Sequence, residues 1–214
     1  MQNFLASLSA SGVSAALLAT FVAVSALALT AQPALIDRCL LRPYWLVRRR
    51  QWATLATCGF VHADWMHLLF NAFTFWAFAF PLERRIGPAR LAALYACALL
   101  LSSLGTWVQH RREPGYASLG ASGAVLGVVF ASIVYFPGAT LFILPLPVPI
   151  PAPLFAVGYL AFSVWASRRG GGRINHDAHL VGAVVGLVFV LLTDPATVRA
   201  ALLGLSRALG GAAA

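Results

Sequence analysis

Four side chains stand out for the chemistry they can do together: His67, Asn71, Ser122 and His179. A serine hydroxyl becomes a nucleophile when an imidazole takes its proton. Acyl transfer then needs hydrogen-bond donors aimed at the oxygen where negative charge develops. Ser122 lies near the start of a predicted helix, where backbone N–H groups lack intrahelical partners. His67 and Asn71 are four residues apart and share one helix face. The set therefore offers Ser122 as nucleophile, His179 as base, and His67, Asn71 and the Ser122 N–H as oxyanion donors. Asp177, two residues before His179, projects from a different face, so a Ser–His dyad is expected rather than a triad. Each residue alone has a plainer reading. A membrane serine is most often a packing residue, an asparagine can pair two helices, and a histidine near a span end can be interfacial.

The background against which they stand is apolar. Of 214 residues, 60% are hydrophobic and 10% charged, against about 25% charged in an ordinary soluble domain. A soluble fold of this size cannot hide so much apolar surface, so an all-α integral membrane protein is expected. At about 20 residues per span, six spans fit, leaving no room for a second soluble domain. A polar side chain inside such a span is costly and is by default a functional candidate.

The predicted spans are residues 12–29, 65–82, 91–109, 119–136, 154–166 and 178–193. The first has a rival reading as a signal peptide, with Ala26-Leu27-Ala28 resembling a cleavage site; against it, the basic leading region is missing and the apolar run is long. Residues 37–64 form a long first loop. It mixes Arg38, Arg42, Arg48, Arg49 and Arg50 with Leu40, Leu41, Trp45, Leu46, Val47 and Trp52. That mixture suits a segment lying in the membrane interface, or a loop packed on the rest of the protein. Glu83, Arg84, Arg85 and Arg90 read as a charged turn. Alternating prolines from Pro145 to Pro153 favour an extended path. Gly170, Gly171 and Gly172, flanked by Arg168, Arg169 and Arg173, read as a flexible loop. The chain thus divides into a first span (1–36), a membrane-associated loop (37–64), a five-span core (65–193) and a tail (194–214) that suits a surface amphipathic helix.

Alternation puts the starts of spans two, four and six on one side of the membrane, so the four polar residues share one depth. Gly123 and Gly127 in span four, and Gly182 and Gly186 in span six, form G-x-x-x-G patterns that permit close helix approach. Such contact brings the serine oxygen within reach of the imidazole.

All 15 basic residues are Arg, against 6 acidic ones, for a net charge of +9. In a soluble protein this balance points to nucleic acid. Here the Arg residues end apolar runs, so headgroup and loop placement is the better reading and no nucleic-acid partner is expected. The three cysteines imply no disulfide framework. His62, His67, His176 and His179 follow no standard metal spacing, and no metal or cofactor is expected. No inverted repeat points to a transporter.

The motifs resemble the rhomboid family of intramembrane serine proteases. Gly120-Ala121-Ser122-Gly123 is similar to its G-x-S-G nucleophile motif. His62 to Asn71 follows its H-x-x-x-x-H-x-x-x-N pattern. Ala178-His179-Leu180-Val181-Gly182, continuing to Gly186, follows its A-H-x-x-G-x-x-x-G pattern. The resemblance covers residues 50–193. It implies a six-helix rhomboid-like bundle, Ser122 as nucleophile, His179 as base, and His67, Asn71 and the Ser122 N–H as the oxyanion hole. It implies single-span membrane proteins as substrates, entering laterally near the fifth span, and no cofactor. His62 fits the pattern with a structural role. A non-catalytic relative that only binds membrane proteins is the alternative; such relatives usually lack the Ser or the His. The chain departs from the family's Trp-Arg in the first loop: Trp52 is one place off and Thr54 stands where Arg is expected. The family's bacterial orientation puts the site outside and both core ends in the cytoplasm, and the all-Arg, Ala-rich composition suits a bacterial inner membrane. That orientation sets ten Arg outside and five inside, the reverse of the positive-inside rule.

Overall fold

The computed structural model describes residues 11–143, 146–169 and 174–211. Pro145 and the expected flexible loop at Gly170 to Arg173 lie outside the described residues, as do the ends of the chain. The described chain is mostly helical. Helix α1 (Gly12–Thr30) leads into a first loop built from α2 (Ala34–Cys39), α3 (Pro43–Arg48), α4 (Thr54–Thr57) and a 3-10 turn (Cys58–Phe60). Then come α5 (Trp65–Ile86), α6 (Pro88–His110) and α7 (Ser122–Tyr135). An antiparallel hairpin, β1 (Thr140–Ile143) with β2 (Leu146–Pro151), precedes α8 (Ala152–Arg169), α9 (His176–Thr193) and α10 (Pro195–Gly211).

Among the described residues, α1, α5, α6 and α9 are long and apolar enough to cross a membrane. These apolar helices mark an integral membrane protein. Helix α7 is apolar but only 14 residues long, about 21 Å at 1.5 Å per residue. It is the central helix: from Gly123 to Ile133, every residue except Leu126 is buried. A helix surrounded by α5, α6 and α9 in this way need not reach both membrane faces. Its first residue, Ser122, lines a cavity.

The ends of the helices follow from local chemistry. Asp64 caps α5 by accepting the His67 N–H at 2.8 Å, an ordinary N-cap bond. Gly87, at φ 85°, ends α5, and Pro88 opens α6. The expected charged turn at Glu83 to Arg85 is instead the last part of α5. Glu83 is buried, and its carboxylate accepts the N–H groups of Val13 (3.0 Å) and Ser14 (2.7 Å) at the start of α1. A negative charge there suits the helix N-terminus, so the acid serves as a cap delivered from another helix. Ser122, expected a few residues into its helix, opens α7. The alternating prolines of β2 lack an N–H at every second position, as an edge strand allows.

The first loop is both packed and exposed. Leu41, Leu46 and Cys58 are buried together against Leu55 and Trp107 of α6. Val47 and Trp52 are about half exposed, at 48% and 50%. The packed-loop expectation fits the first group, and the second is left exposed.

Candidate active site

The segment before Ser122 is tied to the first loop by backbone bonds. Leu41 and Ser118 exchange both N–H···O bonds, at 3.0 and 2.9 Å. The Gly120 N–H donates to the Cys58 carbonyl at 2.9 Å. The Ala121 N–H donates to His62 Nε2 at 3.3 Å. Gly120 adopts φ 112°, where glycine is favoured. The His67 ring also occupies the space a Cβ there would need. The first intrahelical bond of α7 runs from the Val125 N–H to the Ala121 carbonyl. The Ser122 N–H consequently has no intrahelical acceptor and is available to a ligand.

His179 sits in the first turn of α9, whose N-cap Asn175 accepts the Ala178 N–H at 3.0 Å. Its Nε2 lies 2.7 Å from Ser122 Oγ, and its Nδ1 lies 2.9 Å from the Tyr159 hydroxyl of α8. For Nε2 to accept the serine proton, Nδ1 must carry the other hydrogen and donate it to Tyr159; this tautomer follows from the network. The approach depends on the paired glycines. A Cβ on Gly182 would collide with the Gly123 carbonyl, and one on Gly186 with the Gly127 carbonyl. Gly123 and Gly127 also lie against Ser102 and Ala98 of α6. Helices α7 and α9 thus meet backbone to backbone, and α6 meets α7 through the small side chains of Ser102 and Ala98.

His67 and Asn71 line the same cavity as Ser122 and His179. The cavity measures about 780 Å³ and also touches Tyr116, Ser118 and Asn175. Asn71 Nδ2 donates one hydrogen to the His67 carbonyl at 2.9 Å, leaving its second amide hydrogen uncommitted. The arrangement brings together all four residues singled out from the sequence. It can hold a carbonyl carbon near Ser122 Oγ and its oxygen near the donors.

His62 is fully buried and bridges two segments. Ser25 Oγ donates to the Phe60 carbonyl at 3.1 Å, so His62 Nδ1–H donates to Ser25 at 2.8 Å while Nε2 accepts from Ala121. Burial, with the neighbouring His67 ring second, pushes its pKa down to about 3. A neutral ring is what this bonding requires, since Nε2 must keep its lone pair. Asp177 does not face His179. It bonds His110 Nε2 at 3.0 Å and Ser167 Oγ. Among the described residues, no group of three His, Cys, Asp or Glu side chains is arranged to hold a metal.

Two participants were not singled out from the sequence. Tyr159 carried no motif and no local spacing that linked it to His179. Asn175 is of a type that caps helices, a signal that could have marked it, but its second role has no local signal. Its Nδ2 donates to Thr106 Oγ1 and Ser118 Oγ, both at 2.9 Å, joining α6, α9 and the segment before Ser122.

The family model described as Rhomboid domain matches residues 49–195. The chain is similar to the Bacillus subtilis protein named "Putative rhomboid protease YdcA", 32% identical over 68% of this chain and 69% of that one. It is also similar to "RHOMBOID-like protein 12, mitochondrial" of Arabidopsis thaliana, 30% identical over 63% of this chain and 44% of that one. "Rhomboid protein 1, mitochondrial" of Saccharomyces cerevisiae is 28% identical over 61% of this chain and 39% of its own length. The match spans less than half of either mitochondrial relative. With the model covering more than half of the sequence, the chain belongs to the rhomboid family.

Proposed function

We propose that the chain is an intramembrane serine endopeptidase that cuts single-span membrane proteins in or near the bilayer, using Ser122 and His179 as a dyad. The observation that carries this reading is the 2.7 Å contact between Ser122 Oγ and His179 Nε2, both of which line one cavity with His67 and Asn71. Ser122 Oγ attacks the scissile carbonyl carbon as its proton passes to His179 Nε2. The carbonyl oxygen, now negative, receives hydrogen bonds from the Ser122 N–H, His67 and Asn71. The imidazolium then gives its proton to the leaving amine, the C–N bond breaks, and an acyl-serine remains. Water, deprotonated by His179, attacks the acyl carbon and releases the second product and the free serine. Tyr159 orients the imidazole throughout. No metal or cofactor takes part in this scheme.

The reading includes six spans, with α7 and α8 as the fourth and fifth. It includes the division into a first span (1–36), a membrane-associated loop (37–64), a core (65–193) and a tail (194–214). Substrate enters through the apolar cleft between α5 and α8, about 740 Å³ and lined by Phe70, Phe73, Phe78, Leu126 and Phe155 among others. The setting is a bacterial inner membrane with the site toward the outer face. Co-expression with a panel of single-span proteins tests the core of this. Cleavage is expected with the native chain and should fall at least about 10³-fold in Ser122→Ala and His179→Ala, the order of loss seen when a serine hydrolase loses such a group. Full cleavage by Ser122→Ala would overturn the dyad.

A further inference from the structure

The end of α3 carries a group of guanidinium side chains that catalysis does not use. Val47, Arg48, Arg49 and Arg50 are exposed in succession, followed after Gln51 by exposed Trp52. The turn that presents them is closed by two backbone bonds: Gln51 N–H to the Leu46 carbonyl at 2.9 Å, and Arg50 N–H to the Val47 carbonyl at 3.3 Å. This is the bonding of a Schellman end, in which glycine or asparagine usually holds the left-handed position. Here Arg50 holds it, at φ 53°, so a third side chain is kept where the local backbone prefers none. The guanidinium of Arg48 lies 3.9 Å over the Tyr44 ring and that of Arg49 4.0 Å over Trp45. Arg48 Nη1 also donates to the Tyr44 carbonyl at 2.7 Å; the ring faces hold the cations in place, and the remaining edge N–H groups can meet an outside acceptor. Among the described residues, the ion pairs of this loop and its surroundings are Arg42 with Asp37 and His110 with Glu113 and Asp177. Arg48, Arg49 and Arg50 have no carboxylate within that reach.

A second element brings a fourth cation. Trp107 of α6 packs on the buried Leu41, Leu46 and Cys58, and the Arg111 guanidinium lies 5.8 Å over that tryptophan. The patch also stands on the site's side of the bundle, because Leu41 pairs with Ser118 and Cys58 accepts from Gly120. Exposed Trp and Val beside fixed guanidiniums match the level where headgroups meet acyl chains. A guanidinium pairs with a phosphate through two parallel N–H···O bonds. A zwitterionic headgroup offers the same phosphate but adds a cation close to it. We propose that Arg48, Arg49, Arg50 and Arg111 form a binding surface for anionic phospholipid headgroups in the leaflet that contains the active site.

The purified full chain, reconstituted in phosphatidylcholine bilayers, tests this with spin-labelled phosphatidylglycerol and spin-labelled phosphatidylcholine as probes. The share of each immobilised at the protein is read by electron paramagnetic resonance. Preference for phosphatidylglycerol is expected, falling about tenfold or more in R48Q/R49Q/R50Q, as the loss of three surface cations implies. It should persist in R199Q/R207Q, which removes two charges from α10. On the native chain alone, raising salt to about 1 M should weaken it, because screening shortens the reach of exposed charges. Equal immobilisation of the two lipids by the native chain overturns the proposal. So does full preference in the triple variant, or a preference that salt leaves untouched. Acidic polypeptide bound at these arginines without any lipid preference also counts against it. None of these readouts needs proteolysis, so failure here is separate from failure of the proposed activity.

Discussion

Tyr159 reaches His179 from α8, a helix that bears none of the sequence motifs. Its hydroxyl is the partner of Nδ1 where a carboxylate stands in a triad. A neutral hydroxyl fixes the ring and the tautomer but stabilises the imidazolium less than a carboxylate does. Tyr159→Phe keeps the ring contacts with Phe130 and Phe155 and removes only the bond. The net worth of such a bond is about 0.5–1.5 kcal/mol, so kcat should fall about three- to tenfold with KM nearly unchanged. Steady-state cleavage in detergent separates the two constants. A fall in KM-dependent binding with intact kcat would assign Tyr159 to the substrate cleft instead. At this scale the sequence was a good guide to residues that share short motifs. Ser122, His179, His67 and Asn71 lie in three short segments whose spacing is fixed by helix geometry. Tyr159 was illegible because its partner is 20 residues away, on a different helix. Helical phase set Asp177 apart from His179, and its carboxylate bonds His110 and Ser167 instead.

Among the elements, the contact of α7 with α9 decides whether the site exists. The helices approach until carbonyl oxygens of one touch the Cα positions of the other, and this alignment sets Ser122 opposite His179. Gly182→Ala introduces a methyl group against backbone that cannot rotate away. Overpacking of this kind costs about 1–3 kcal/mol, and the helices must separate or shift. Both thermal stability and cleavage should drop together. Gly158→Ala is the control: nothing lies within 4 Å of a Cβ there, so stability should hold. Circular dichroism melts of the two variants distinguish a tight seam from a loosely packed one. Equal melting points for Gly182→Ala and the native chain would count against the close packing. The helix pattern and the glycine pairs were readable because hydropathy and small-residue spacing are local signals. The role of Glu83 was not. A carboxylate after an apolar run looks like the start of a loop, and only the neighbouring N-terminus of α1 makes its burial affordable. The proline alternation correctly indicated extended chain, but pairing into a hairpin depends on a strand eleven residues away, at Thr140 opposite Pro151.

For the whole molecule, the distribution of arginine sets the orientation problem. The site side carries Arg38, Arg42, Arg48, Arg49, Arg50, Arg111, Arg112, Arg168 and Arg169, with Arg173 between α8 and α9 in sequence. The other side carries Arg84, Arg85 and Arg90 around the one-residue break at Gly87, and Arg199 and Arg207 in α10. Arg85 lies 5.5 Å over Tyr135, whose hydroxyl donates to Asp194 at 3.2 Å, so the ends of α5, α7 and α9 meet there. A plain count favours a cytoplasmic site. The count, however, treats all arginines as free loop charges. Arg48 and Arg49 lie over aromatic rings at the end of a packed loop, and with Arg50 they belong to the proposed headgroup surface. Charges in short loops close to span ends orient a chain, and the α5–α6 connection is the single residue Gly87. The expectation is therefore a cytoplasmic α10 and a site facing outward. In a bacterial host, green fluorescent protein fused after α10 should fluoresce, and alkaline phosphatase inserted in the first loop should be active. R84Q/R85Q/R90Q should yield a mixed population, whereas R48Q/R49Q/R50Q should leave the orientation unchanged. Inversion by the first-loop variant, with no effect of the other, would mean that those arginines act as ordinary topogenic charges and that the site faces the cytoplasm.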